Sequence, residues 1–268
     1  MTFKQSTVAV IAACLSLSAN AEQLDIFSLS LEELLDVRVV TAASGYEQPL
    51  SESPANVTVI YQEEWQASGA RELNDVLANI AGIHIKNRTI GITSKIPVIR
   101  GISGSDGQQI LILIDGRPIK YFQSSGVFIG NRFLLSGFER IEVIRGPGSA
   151  IYGADALGGI INLVSKKQVG NNVHLRAGSF DTFDVGISQS GSFEDGTWSL
   201  SFEHQRSNDD PNKTVSSDLQ TTFDGIFGTQ ASLAPGRINE RYKVNQLNAL
   251  LSWKDITFSA YHWAAYDR

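Results

Sequence analysis

From residue 172 onward the chain carries five segments that alternate between apolar and polar positions. Val173, Leu175 and Ala177 share one face of 172–178, and Phe183, Val185 and Ile187 share one face of 183–190. Trp198, Leu200 and Phe202 alternate with Ser199, Ser201 and Glu203; Leu247, Ala249, Leu251 and Trp253 repeat the habit, and 256–264 adds a fifth segment. A period of two over such lengths predicts strands with one apolar and one polar face, the habit of transmembrane barrel strands and equally of a soluble β-sandwich. The stretch from Pro54 to Lys167 reads differently. Residues 56–60 alternate as a strand and Tyr61 to Ser68 suits a short helix. Ala70 to Ile80 carries Leu73, Val76, Leu77 and Ile80 at helical spacing, with Gly82 as the stop. Ile83 to Ile85, Pro97 to Arg100 and Ile110 to Ile114 are short apolar strands, and Asp115-Gly116 is a tight turn between Ile114 and Ile119. The pattern predicts a compact α+β domain followed by antiparallel strands.

Phe138 to Lys167 joins the two regions. A strand bearing Ile141 and Val143 runs into Arg145-Gly146-Pro147-Gly148; a second turn, Gly153 to Gly159, leads to the apolar strand Ile160 to Val164. The glycines at 146, 148, 153, 158 and 159 do not form a phosphate loop. Gly153 is followed by Ala154-Asp155, where that loop requires lysine and a hydroxyl. They are read as backbone geometry: positive φ and close packing against the wall of a barrel.

Composition narrows the class. Among 268 residues, 42% are hydrophobic and 19% charged, and the net charge of −6 gives no basis for nucleic-acid binding. No apolar run reaches the roughly 18 residues of a spanning helix, so a membrane role would use a β-barrel. Residues 1–21 read as a secretory signal: Lys4, an apolar core from Val8 to Leu17, and Ala19-Asn20-Ala21 before the cut. Ile11-Ala12-Ala13-Cys14 loosely resembles a lipoprotein box, but the core ahead of it is very short. Cys14 is the single cysteine, so removal of the signal would leave a chain without thiol chemistry.

In the tail that follows, Ser30-Leu31-Glu32-Glu33 is a capping-box sequence. Asp36-Val37-Arg38-Val39-Val40-Thr41 is an extended β-branched run. Such a run cannot bury itself and suits pairing with a partner's sheet edge. Of the histidines 84, 174, 204 and 262, none stands at metal-ligand spacing to another, and no G-x-S-x-G elbow occurs. No catalytic, metal or cofactor site is expected.

The order of PANVTVI, ARELNDVLANIAGIHI, PVIRGI, ILILIDGRPI and FERIEVIRGPGSAIYGADALGGIINLVSK closely resembles the plug domain of TonB-dependent outer-membrane receptors across 36–167. Ala81 departs from the proline often found before the glycine. The resemblance implies a 1–21 signal, a 22–53 periplasmic tail, a 54–167 plug, and the first strands of a transmembrane β-barrel over 168–268. Residues 36–41 take the position of the TonB box, by which such receptors recruit TonB and its ExbB–ExbD motor.

Arg100 and Arg145 resemble the arginines that tie plug to barrel glutamates; a solvated arginine at a strand end is the plainer alternative. The implied function is gated uptake of a ferric siderophore, haem, cobalamin or similar ligand across the outer membrane of a Gram-negative cell, without catalysis. The other reading is a ligand-binding module without transport. Residues 193–197 and 254–255 would be short periplasmic turns and 207–242 a long outer loop, as barrels require. A lumen that holds a plug belongs to about 22 strands, and an open edge in lipid is not viable, so the chain reads as an N-terminal piece of a longer protein.

Overall fold

The structure is a computed structural model. It describes residues 39–41, 46–53, 56–88, 94–103, 107–119, 132–148, 152–167, 169–238 and 240–267. The signal, the capping box at 30–33, and Asp36, Val37 and Arg38 lie outside the described residues.

In chain order the elements begin with β1 (Val39–Val40), β2 (Gln48–Pro49), β3 (Val57–Tyr61), helix α1 (Gln62–Ala67), helix α2 (Leu73–Ala78), β4 (Ile83–Arg88) and β5 (Ser94–Ile99). There follow β6 (Ile110–Ile114), β7 (Arg117–Pro118), β8 (Phe138–Arg145) and β9 (Gly159–Ser165). The second region holds β10 (Gly170–Gly178), β11 (Thr182–Phe193), β12 (Gly196–Ser207), β13 (Thr214–Val215), helix α3 (Leu219–Phe227), β14 (Gly236–Arg237), β15 (Tyr242–Trp253) and β16 (Ile256–Asp267).

The first domain is built on a mixed sheet ordered β3-β8-β9-β6-β7. Its centre is buried on both faces, which is why Ile110 to Ile114 reads as an unbroken apolar run. On one face Ile112, Ile141, Val143, Ile161 and Leu163 pack with α1 and α2 through Trp65, Leu73 and Leu77. On the other, Leu111, Leu113, Ile144 and Ile160 pack with Val59 and with Val40 of the N-terminal segment. The first turns of both helices are closed by their own acids. Glu64 accepts the Tyr61 amide at 2.8 Å, and Asp75 accepts the Arg71 amide at 3.0 Å. Helix α2 is shorter than its 70–80 periodicity predicted. Glu72 bridges to Leu134 and serves as the cap, so helical hydrogen bonding starts only after it.

The Asp115-Gly116 turn forms as expected. Both residues take positive φ, +49° and +75°, the geometry that matches strand twist in a two-residue hairpin. The turn is stitched to the end of β9, where Asp115 accepts the Ser165 amide at 2.8 Å and its hydroxyl at 2.7 Å.

The second region is one antiparallel sheet, β10-β11-β12-β15-β16, each strand paired with its neighbour. All five alternating segments are present. The faces are inverted relative to a soluble sandwich. Val173, Leu175, Ile187, Phe202 and Phe258 are exposed, whereas Asp184, Ser188, Ser201, Glu203, Gln246 and Asn248 are buried. Trp198 and Trp253 lie on the outer face at the two-residue-turn end of the sheet, as an interfacial aromatic belt does. This is a barrel wall. Among the described residues, no helix is long and apolar enough to cross a membrane.

The 207–242 connection is long but not merely polar. It folds α3 and the ribbon β13–β14. Asp218 caps α3 by accepting the Thr221 amide at 2.7 Å, and Gly228 ends it at φ +68°.

Leu113 is fully buried at the centre of the first domain's sheet. Leu113→Ala is expected to destabilise that domain by about 2–5 kcal/mol. Hydrogen exchange across β6 in a urea series measures this, and an unchanged midpoint would contradict the packing described.

Candidate functional site

The two regions meet along a seam, and a second polar cluster ties the N-terminal segment to the first domain. Both are consequences of strand alternation. On β8, Ile141 and Val143 face the helices, so Arg140 and Glu142 face the opposite side. Glu142 is fully buried and Arg140 nearly so.

Glu142 accepts the Thr41 amide at 3.0 Å, the Thr41 hydroxyl at 3.3 Å, Arg140 Nε at 3.0 Å and Asn162 Nδ2 at 3.1 Å. Arg140 also donates to Thr41 Oγ1 at 3.0 Å and to Glu139, and it pairs with Glu47 at 3.4 Å. Lys167 joins through Glu47 at 3.2 Å.

Burial works against the Arg140 charge, but Glu142 and Glu139 more than offset it and hold its pKa above the usual arginine value. Burial pushes the Glu139 carboxyl up. Burial also opposes the Glu47 charge, but Lys167 and Arg140 prevail and hold its pKa low. A buried carboxylate is tolerable only when paired and hydrogen-bonded, and Thr41 supplies part of that pairing.

Val39, Val40 and Thr41 are therefore held in place. Val39–Val40 pairs antiparallel with Gln48–Pro49, and the Val39 amide donates to the Tyr61 hydroxyl at 3.3 Å. The expectation that this run cannot bury itself fails at Val40, which has no exposed surface. The neighbouring β2 and the open second face of the sheet supply its cover.

The seam follows the inner face of the wall. His174, Gly186, Glu203, Gln246 and Trp263 are cross-strand neighbours in one row, from β10 to β16. Residues 133–136 run along it. Gln246 accepts the Leu134 amide at 3.0 Å and donates to the Leu134 carbonyl at 2.7 Å, so one side chain imitates a strand. Glu203 accepts the Ser136 amide at 3.1 Å, and Phe133 stacks on Tyr261 at 5.7 Å. In the adjacent row Asn248 donates to Ser165 Oγ at 2.9 Å and Lys166 donates to Ser188 Oγ at 2.9 Å. Burial pushes the Lys166 ammonium down to about 8.

Among the residues singled out from sequence, Arg145 donates from Nη1 to the Ala81 carbonyl and from Nη2 to Thr58 Oγ1, both at 2.9 Å. Its Nε is buried with no hydrogen-bond partner. Arg100 is exposed in the turn after β5 at φ +50°, with Nη1 3.9 Å from where a Cβ on Gly146 would stand. Among the described residues no carboxylate is shown paired with either.

The glycine turns pack differently from the expectation that they approach the barrel wall. A Cβ on Gly159 would lie 2.5 Å from the Ile144 carbonyl oxygen, and one on Gly158 would lie 2.8 Å from Ile102. Gly148 abuts Ile160 and donates its amide to Ala156 at 2.9 Å. Gly146 and Gly153 take φ of +142° and +81°, and Pro147 is exposed beside them. These residues fit against their own domain. Among the described glycines of this domain, Gly137 meets the wall: a Cβ there would collide with Ser201 Oγ and lie 3.2 Å from Asn248.

Sequence reasoning also passed over Arg140, Glu142, Glu203 and Gln246. Their signal was available as charged or amide residues on the face opposite Ile141 and Val143, and on the polar face of the wall strands.

A small α+β domain seated on the polar inner face of an outwardly apolar antiparallel sheet defines a plugged β-barrel of the outer-membrane kind. The comparisons agree. Residues 49–160 match the TonB-dependent Receptor Plug Domain. The chain is 35% identical over 161 residues to a Vitamin B12 transporter BtuB of Vibrio vulnificus, covering 59% of this chain and 26% of that protein. It is 35% identical over 167 residues to an iron-regulated outer membrane virulence protein of Vibrio cholerae, covering 59% and 25%.

Two solved structures share the fold. Pyoverdine-bound FpvA of P. aeruginosa superposes with a TM-score of 0.61 at 19% identity, covering 84% of this chain and 27% of that one. The ferric yersiniabactin uptake receptor FyuA of Yersinia pestis gives 0.55 at 19%, covering 80% and 32%. Residues 49–160 carry the plug domain of the TonB-dependent receptors, and the strands that follow match the barrel strands of such outer-membrane receptors. The chain spans about a quarter of the length of these curated relatives.

Two expectations test the seam. Lys166 is held near 8 when folded, below its ordinary 10.5, so the folded chain binds fewer protons over that interval. Stability must then rise as pH climbs from about 8 towards 10.5, and Lys166→Met should flatten the rise. Urea midpoints across that range read it, and an undiminished rise in the variant would oppose the assignment. Gly137→Val should force the seam apart and speed hydrogen exchange at the Leu134 and Ser136 amides at least tenfold; unchanged protection would refute the close approach.

Proposed function

We propose that this protein takes up a scarce ligand, too large for porins and of the ferric siderophore, haem or cobalamin class, across the outer membrane by a TonB-driven mechanism. The observation that carries this reading is the joining of 39–41 to the plug sheet through Thr41, Glu142 and Arg140. In this reading residues 36–41 are the segment TonB grips, with ExbB–ExbD as its motor. Tension applied ahead of Val40 would reach β8 through the Thr41 clasp, and β8 lies beside β3 and β9 in the plug sheet. The seam meanwhile holds 133–138 and 165–166 on the wall. A pull from one side and a fixed seat on the other is an arrangement suited to remodelling a plug.

In the same reading 1–21 is an export signal, 22–53 a periplasmic tail, 54–167 the plug and 168–268 barrel. The 207–242 connection lies on the outer surface, and its folded helix presents Phe223, Ile226 and Phe227 to ligand. Arg100 and Arg145 anchor the plug to barrel carboxylates; the unpartnered, buried Nε of Arg145 supports this role. The inverted wall, apolar outside and polar inside, favours a membrane transporter over a binding module without transport.

Val39→Pro in the full-length protein should abolish uptake while leaving ligand binding at the cell surface intact. Growth of a deletion strain on a single iron, haem or cobalamin source, complemented with each form, measures this and names the ligand class. Normal uptake by the variant would sink the assignment of 36–41.

A further inference from the structure

The seam row ends in a group that transport does not require. His174, Asp184 and Glu203 come from three adjacent strands and converge on one point of the wall's inner face. Gly186 makes the convergence possible. It is the direct cross-strand neighbour of both His174 and Glu203, and a Cβ there would collide with the imidazole. The ring therefore lies across the glycine and reaches the third strand. Its Nε2 stands 3.1 Å from Asp184 Oδ1 and 3.3 Å from Glu203 Oε1.

Two carboxylate oxygens thus face a single nitrogen that carries at most one proton, and one N–H cannot point straight at both. The spacing has another meaning. Donors about 2.0–2.1 Å from a tetrahedral zinc ion stand about 3.3 Å from each other, close to both observed separations.

The outer oxygens are already committed. Asp184 Oδ2 accepts Arg176 Nη1 at 2.8 Å, and Glu203 Oε2 accepts the Ser136 amide at 3.1 Å. Such partners orient carboxylates toward a metal, each leaving one oxygen for the centre. Asp184 and Glu203 are 1% and 2% exposed, and a cation held between them would compensate two acids buried this deeply.

We propose that His174 Nε2, Asp184 Oδ1 and Glu203 Oε1 bind one divalent transition-metal ion of zinc-like character, with water in the remaining position. One imidazole and two carboxylates suit Zn2+; a hard ion such as Ca2+ takes oxygen ligands. Glu203 links the ion directly to the Ser136 amide, so occupancy stiffens the plug's seat. The site rests on wall geometry and is independent of which ligand the receptor carries.

The test uses the full-length protein in detergent, stripped with chelator and titrated with Zn2+ by calorimetry and with Co2+ by visible spectroscopy. One equivalent should bind. His174→Ala and Glu203→Gln should each weaken Zn2+ by about 100-fold or more, while His262→Ala, on the outer face, changes nothing. Zn2+ should also slow hydrogen exchange at Ser136. Should a variant fail to fold, X-ray absorption on the zinc-loaded wild type still decides, with one imidazole and otherwise oxygen ligands expected. Failure of the wild type to take up stoichiometric metal, unchanged affinity in both variants, or a spectrum with several imidazoles would overturn the proposal.

Discussion

A polar surface that is covered must exchange its water for partners in the protein, and that constraint organises most of this molecule's seam. The wall strands turn apolar side chains outward and polar ones inward, as lipid demands. A domain that settles on the inner face is favoured for each buried donor and acceptor it answers, because an unanswered one, such as Trp263 Nε1, costs about 1–3 kcal/mol. The plug answers with backbone. Leu134 and Ser136 offer amides and a carbonyl to Gln246 and Glu203, and the absence of a side chain at Gly137 lets the chain come close enough to do so. The contact is specific because hydrogen bonds, unlike apolar packing, tolerate little sliding.

The same logic works on the opposite side of the plug sheet. Arg140 and Glu142 occupy positions that alternation turns away from the helices, and neither can stay buried alone. Thr41 completes their pairing while Val40 fills the adjoining apolar surface. The N-terminal segment is thus bound by a few polar contacts and one buried side chain, in contrast to the broad core around Leu73, Ile112 and Ile161. Attachment through so few contacts suits the handle proposed for 36–41.

Local rules carried most of the architecture. The five wall strands, the Asp115-Gly116 hairpin and the paired faces of the plug sheet follow from periodicity and turn chemistry, and the motifs from PANVTVI to Phe138–Lys167 carry the family resemblance in one sequence. The reading weakened wherever a residue's meaning depends on what lies across from it. Helix α2 lost its first turn to a bridge between Glu72 and Leu134, 62 positions apart. Gly148, Gly158 and Gly159 face Ile160, Ile102 and Ile144 of their own domain, contacts that no local pattern announces.

By itself the sequence determined which residues alternate, where the chain turns, and that a mixed α+β domain precedes strands with one apolar and one polar face, since these depend on neighbours a few positions apart. Only the tertiary structure decided that Val40 is buried, that Thr41 rests on Glu142, and that His174 meets Asp184 and Glu203 across Gly186. Those contacts join residues on different strands, and strand register, a property of the whole sheet, determines which side chains come into reach.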